Sequence, residues 1–309
     1  MSELNWVGSL FALAQWIALV IALGYVAIRL WTGVFRGKPP HEKLSPEQRA
    51  AVAVQTRQLA ARMRQMAEPT LLLIPAEEPG FSKLGGEPEL PQGKAWPAGE
   101  RQPRAFLGQI DLAALRPHIR ADWLPDHGRF YAFYDPERHG FADVVQVIYS
   151  TEPVGAARPT PATARLHFKE RRVSFTSFIS APNLYWLGIW DGDVSGDPED
   201  WKAVSEIENA PPGDDIQHRI GGFPNEIQFE RMPLSCEHLA RGLPEPVHDQ
   251  DIPPEIERGM AEWRMLLQID SDPGLKMNFG DGGRLYVFIR EAHAKAGDFS
   301  QTVTLWQTY

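Results

Sequence analysis

Two stretches of this chain carry the same series of short motifs in the same order, and this constrains the fold more than any other feature. Gly85-Gly86-Glu87-Pro88 is matched by Gly221-Gly222-Phe223-Pro224, and Gln109-Ile110-Asp111 by Gln268-Ile269-Asp270. Gly128-Arg129-Phe130-Tyr131 is matched in turn by Gly283-Arg284-Leu285-Tyr286. The offsets between copies are 136, 159 and 155 residues. Similar but unequal offsets suit a duplicated unit with insertions in its loops, not a solenoid of fixed period.

The residues between the motifs predict a mainly β (α+β) fold. Apolar and aromatic residues over strand length predict strands at 70–74, 106–111, 129–134 and 144–149. One or two further strands are expected within 165–179, and others at 264–269, 284–290 and 302–309. Helices are fewer. Ser45-Pro46-Glu47-Gln48 predicts a helix start, with Ser45 as cap, proline in the first turn and Gln48 closing a capping box. Val52, Leu59, Met63 and Met66 fall broadly on one face of that helix, and Arg49, Arg57, Arg62 and Arg64 make it basic. Short helices are also expected at 198–208, capped by Asp197, and at 255–262.

The ordered set GG-x-P, Trp96-Pro97, Phe106-Leu107-x-Gln109-Ile110-Asp111-Leu112 and G-x-F-Y-x-F-Y-D, then the second GG-x-P and Leu266-Leu267-Gln268-Ile269-Asp270-Ser271-Asp272, resembles the YwqG-like family, also catalogued as domain of unknown function 1963. The likeness covers roughly 70–309. It implies an internally duplicated, roll-like β fold with a few helices. For function it implies little beyond an immunity-type role, held by some relatives encoded near secreted toxins.

The N-terminal segment lies outside that likeness. Residues 4–28 carry no formal charge, and a helix of that length would be roughly 37 Å long, enough to span a bilayer core with some tilt. Trp6 and Trp31 fall near its ends, where indole rings favour the interface. A start without Lys or Arg and a long apolar run fit a cleavable signal peptide poorly. Residues 29–66 hold eight Arg/Lys against two Glu, whereas the segment before them carries only Glu3. Cationic flanks stay on the cytoplasmic side. The expected layout is therefore an anchor over 1–32, a basic linker and juxtamembrane helix over 33–68, and a domain over 69–309 built from units at about 69–160 and 161–309. The expected location is the cell membrane, single-pass, with the N-terminus outside and the domain in the cytoplasm.

Charge narrows the partners. The net charge of −9 leaves about −14 beyond residue 66, so nucleic acid is not an expected partner. The single cysteine, Cys236, allows no internal disulfide. No H-E-x-x-H, G-x-S-x-G or phosphate-loop motif is present, so no catalytic residue is assigned and no cofactor is expected.

Candidate ligand-binding residues come from the repeat and its neighbours. The pairs Gly85-Gly86 and Gly221-Gly222 permit positive φ and close backbone approach, which serves either a turn or a ligand loop. Gln109 with Asp111, and Gln268 with Asp270, are two apart on strands and face the same side. They either hold loop backbone or line a cleft between the units. Trp96 and Gln228 belong to the same candidate set, and Trp96, Trp186 and Trp190 form a candidate aromatic cluster. Asp191, Asp193 and Asp197 resemble the first half of a calcium loop, but Lys202 stands where a bidentate Glu is expected. Asp270, Asp272 and Asp281 form a second acidic group. No metal is expected at either.

Two functional expectations follow. One is a non-enzymatic protein-binding module on the cytoplasmic face of a membrane, with an immunity-like role among its forms. The alternative is a small-ligand or metal-binding protein, or an enzyme, with a cleft between the two repeats.

Overall fold

The computed structural model describes residues 45–78, 80–138, 143–189, 202, 204, 216–228, 230–246 and 251–309. The expected membrane span at 4–28, Trp190, the calcium-like loop at 191–197 and most of the helix expected at 198–208 lie outside these residues. No helix among the described residues is long and apolar enough to cross a membrane.

Ten strands form one sheet in the order β10-β9-β8-β7-β1-β6-β2-β3-β4-β5. They are β1 (Glu68–Pro75), β2 (Lys83–Leu84), β3 (Ala105–Asp111), β4 (Arg129–Tyr134), β5 (Val145–Ser150), β6 (Arg171–Ser180), β7 (Arg219–Ile220), β8 (Trp263–Asp270), β9 (Arg284–Arg290) and β10 (Val303–Gln307). Every pairing is antiparallel. The sheet curls into a nearly closed barrel. At the seam between its two edges, the Val145 N–H donates to Thr304 Oγ1 at 3.3 Å, and Phe299 stacks on Tyr149 with ring centres 4.8 Å apart. Closure of this kind removes most of the exposed edge that an open sheet would present.

The duplication is visible strand by strand. Lys83 pairs with Gln109 as Arg219 pairs with Gln268, and Asp111 with Arg129 as Asp270 with Arg284. The register slips at Leu107 in β3 and at Leu266 in β8, matching positions in the two copies. The innermost strands are exchanged. β1 precedes the first copy but pairs with β7 of the second, and β6 precedes the second copy but pairs with β2 of the first. The long β1–β6 ladder then joins the halves, from Glu68 opposite Ser180 to Pro75 opposite Val173.

Side-chain alternation explains the layers. In β4, Phe130, Ala132 and Tyr134 face the barrel interior, while Tyr131 and Phe133 face outward. In β9, Leu285, Val287 and Ile289 face in, and Tyr286 and Phe288 face out. Both faces are buried, so these strands read as unbroken apolar runs with no polar side. The first copy's outer face is covered by the Gly- and Pro-rich loop after β2, through Leu90 and Trp96. The second copy's is covered by helix α2 (Met232–Arg241), through Met232 and Cys236.

Helix α1 (Pro46–Met66) has the expected capping box, with the Ser45 and Gln48 side chains each bonding the other's backbone N–H. Ala60 and Met63 pack on Leu184 and Val204, and Arg49, Arg57, Arg62 and Arg64 remain exposed. Two short helices, α3 (Pro254–Met260) and α4 (Glu291–Lys295), lie before β8 and after β9.

Candidate functional site

The repeated glutamines and tyrosines hold loops, and do so in the same way twice. Gln109 is fully buried. Its Oε1 accepts from the Glu89 N–H at 2.9 Å, and its Nε2 donates to the Phe81 carbonyl at 2.9 Å. Gln268, also fully buried, accepts from the Asn225 N–H at 2.9 Å and donates to the Gln217 carbonyl at 2.8 Å. Each glutamine thus ties the backbone just after its GG-x-P turn to the backbone just before the short strand. A tyrosine adds a second tie: Tyr131 Oη donates to the Glu89 carbonyl at 3.1 Å, and Tyr286 Oη to the Asn225 carbonyl at 2.8 Å. Burial pushes the Tyr131 phenol up to about 12, so it stays a donor at any ordinary pH.

The glycine pairs make the turns. Gly85, Gly86, Gly221 and Gly222 all have φ between 60° and 74°. A Cβ on Gly222 would overlap the Thr70 hydroxyl, whereas the space beside Gly221 is open to 3.7 Å. Trp96 packs edge-on against Phe133 and donates its indole N–H to the Arg104 carbonyl at 2.9 Å. Gln228 is bound to the end of β10 and the residue after it, its N–H donating to Gln307 Oε1 at 3.0 Å and its Nε2 to the Thr308 carbonyl at 2.7 Å. Trp96 and Trp186 lie on the outer faces of opposite halves, so they do not form one cluster.

The copies diverge at their acids. Asp270 is buried, with Oδ2 taking the Gln217 N–H at 2.7 Å and the Arg284 guanidinium at 3.0 Å. Asp111 is half-buried, and its Oδ1 takes the Ala113 N–H at 3.1 Å. It borders a recess of about 500 Å³ with Ser82, His118 and Phe175. Ser82 occupies the repeat position of His218: the Asp111 N–H donates to Ser82 Oγ, and the Asp270 N–H to His218 Nδ1.

His218 and Asp272 lie side by side, with His218 Nε2 3.4 Å from Asp272 Oδ2. The pair resembles a catalytic dyad only in composition. Nδ1 accepts a backbone N–H, so the proton sits on Nε2 and faces the carboxylate. Both ring nitrogens are occupied and the residue is 4% exposed, so the ring has no nitrogen to offer a substrate. Asp272 also pairs with Arg171 and caps the turn at Leu275. His218 first, then Arg171, hold its carboxyl far below the usual range against the opposing effect of burial. Asp281 is exposed. Among the described residues no group of three or more His, Cys, Asp or Glu side chains could hold a metal ion.

Two buried side-chain atoms lack a hydrogen-bond partner among the described residues: Arg129 Nε, in the repeat itself, and Arg231 Nε, beside a recess of about 310 Å³ where α1, the second Gly-Gly turn, α2 and α3 meet. Part of its wall is apolar, formed by Trp186, Phe223, Trp263, Met66 and Met265, with Trp186 edge-on to Phe223 at 5.1 Å, and the rest carries charged side chains. Arg231 opens into it from the residue that precedes α2. The Arg231 Nε is buried without a hydrogen-bond partner, and the side chain makes no ion pair among the described residues. Burial lowers its pKa, with Glu257 on the rim acting against that. Gly188, at φ 72°, lies against the guanidinium; a Cβ there would stand 3.0 Å from Arg231 Nη1. Arg62 and Arg264 also border the recess, and Arg264 pairs with Glu291 at 3.0 Å. The Glu68 carboxyl is raised by burial, against the effect of Arg264. Gly222 and Trp186 were legible candidates, but Arg231 was not, because its sequence neighbours form no motif.

Fold and site together define a duplicated, nearly closed antiparallel β barrel whose repeated polar residues secure its own loops. The chain belongs to the family described as Domain of unknown function (DUF1963), whose model matches residues 82–308. No functionally curated protein matches the chain.

Proposed function

We propose that this chain is a non-enzymatic binding module held on the cytoplasmic face of a membrane by residues 4–28. The observation that carries the reading is the contrast between the two kinds of polar group. The repeated Gln, Tyr and buried Asp side chains are committed to backbone and to one another. The Arg231 guanidinium, in a recess walled on one side by aromatic and methionine side chains, has no such commitment among the described residues. A buried unpaired polar group is costly, and a ligand that satisfies it recovers that cost on binding. The uncharged run at 4–28 and the basic flank after it support the anchor and its orientation.

The test is to isolate the full chain from its own membranes and identify what co-purifies in stoichiometric amount, with wild type beside Trp186→Ala. A species retained by wild type and lost from the variant is the expected result. No stoichiometric species with either protein would overturn the reading. The anchor is tested separately, with a reporter active only outside the cytoplasm fused after Tyr309. It should stay inactive, and activity would reverse the orientation.

A further inference from the structure

We propose that the recess bordered by Arg231 binds a small amphipathic anion: a carboxylate or phosphate head on a compact aromatic or aliphatic body. The inference rests on the binding-module reading and names the ligand class for that module.

Shape and chemistry lead to the same class. About 310 Å³ is at the low end for small-molecule sites, which run from about 300 to 1,000 Å³. The walls presented by Trp186, Phe223, Trp263 and Met265 offer apolar and aromatic contact, so the body of the ligand is apolar. Two donors are available for its head. The Arg231 guanidinium lines the recess and makes no hydrogen bond or ion pair among the described residues, so its terminal nitrogens can meet an acceptor, while its Nε is enclosed. The Trp186 indole N–H makes no hydrogen bond among the described residues, whereas the Trp263 indole N–H is taken by Glu237 at 3.0 Å. A guanidinium presents a planar fork that matches a carboxylate or phosphate in two parallel bonds. The positive-φ glycine at 188 leaves room for that fork where a side chain would press on it. Arg62 adds a second cation to the lining, which also holds the Glu68 and Glu257 carboxylates, so the head belongs at Arg231 on the side away from them. A neutral apolar ligand would leave the guanidinium unpaired, and a bare inorganic anion would leave the aromatic walls wet.

The same chemistry has two sources, a free organic acid or an anionic lipid whose head and first chain segment enter the recess. The experiment uses the full chain in phosphatidylcholine nanodiscs. Indole-3-acetate, octanoate and phenyl phosphate are the probes, with indole-3-acetamide, octanol and acetate as halves of the chemistry. Affinity is read by calorimetry and by tryptophan fluorescence. Saturable one-to-one binding of at least one amphipathic anion is expected, with its neutral or body-less counterpart at least about tenfold weaker. Arg231→Gln should abolish that preference, and Trp186→Phe should reduce it while keeping the aromatic wall. Repeating the titration in nanodiscs containing phosphatidylglycerol separates the sources. A weaker apparent affinity that disappears in Arg231→Gln assigns the recess to lipid, and an unchanged affinity assigns it to a free acid. Equal binding of charged and neutral probes, unaltered binding in Arg231→Gln, or no engagement of any probe or lipid would overturn the proposal. In those cases a co-purifying species lost from Trp186→Ala would still leave the module reading standing.

Discussion

Gln268 offers the sharpest perturbation of the scaffold. In Gln268→Leu the side chain keeps its approximate size and loses all its polar atoms. Three groups are left behind: the Asn225 N–H, the Gln217 carbonyl and Asp270 Oδ1. Asp270 retains the Gln217 N–H and Arg284, so the cost falls on the two backbone groups. Each orphaned buried group costs about 1–3 kcal/mol, and the added apolar burial returns part of that. The expected net loss is about 2–4 kcal/mol, a large share of a typical total of about 5–15 kcal/mol. Gln109→Leu should cost less, about 1–2 kcal/mol, because both of its backbone bonds, to Glu89 and Phe81, are part-buried and open to replacement by water, whereas Gln268 has one such bond, to Asn225, and one fully buried bond, to the Gln217 carbonyl. Gln268→Glu should be worse than either, since it places a second carboxylate beside Asp270 in the interior. Urea unfolding followed by fluorescence gives all three values. If Gln268→Leu lies within about 0.5 kcal/mol of wild type, or Gln109→Leu is the costlier change, the loop-holding account of the repeat fails.

Three further outcomes follow from single positions. Glu237 lies on the buried face of α2 and accepts from Arg241 Nε at 2.5 Å, Trp263 Nε1 at 3.0 Å and Arg290 at 2.5 Å; burial alone would raise its pKa, but these donors outweigh it and the carboxyl is lowered from 4.5. Its contribution is therefore present above the unfolded value and lost as pH falls through the folded one, so Glu237→Gln should cost about 2 kcal/mol at neutral pH and flatten the acid limb of the stability curve. Gly222→Ala should be far more damaging than Gly221→Ala in thermal unfolding, because only the former adds overlap with Thr70 to the positive-φ strain of roughly 1 kcal/mol; similar losses would contradict the packing described. Cys236 is buried and burial pushes its thiol well up, so a thiol reagent should label it only at the rate of unfolding, and rapid labelling of the native chain would contradict that.

How much of this was legible depends on whether the signal was local. The bounds of β4 and β9 could be read from Gly128 and Gly283, followed by residues that are apolar on both faces. The α1 start was legible because Ser45 and Gln48 complete each other within four residues. Helix α2 was not anticipated: Arg231 supplies no capping side chain and Pro233 reads as a breaker, although it sits in the first turn where proline is tolerated. The exchange of β1 and β6 between halves is a tertiary choice with no mark in either strand. The same-side placement of Gln109 and Asp111 followed from strand geometry, but whether those groups were satisfied depended on Glu89, Phe81 and Ser82, twenty or more residues away. Arg231 is distinctive only for what it does not touch, which no spacing encodes.

The central claim is that the doubled motif is a scaffold, with its glutamines clamping two Gly-Pro loops. Native-state hydrogen exchange at the Glu89 and Asn225 amides tests it most directly. Each amide donates to a buried glutamine and to no strand partner. Exchange well below the free-loop rate is predicted at both, despite their places in loops. Exchange at the free-loop rate for Asn225 would contradict it.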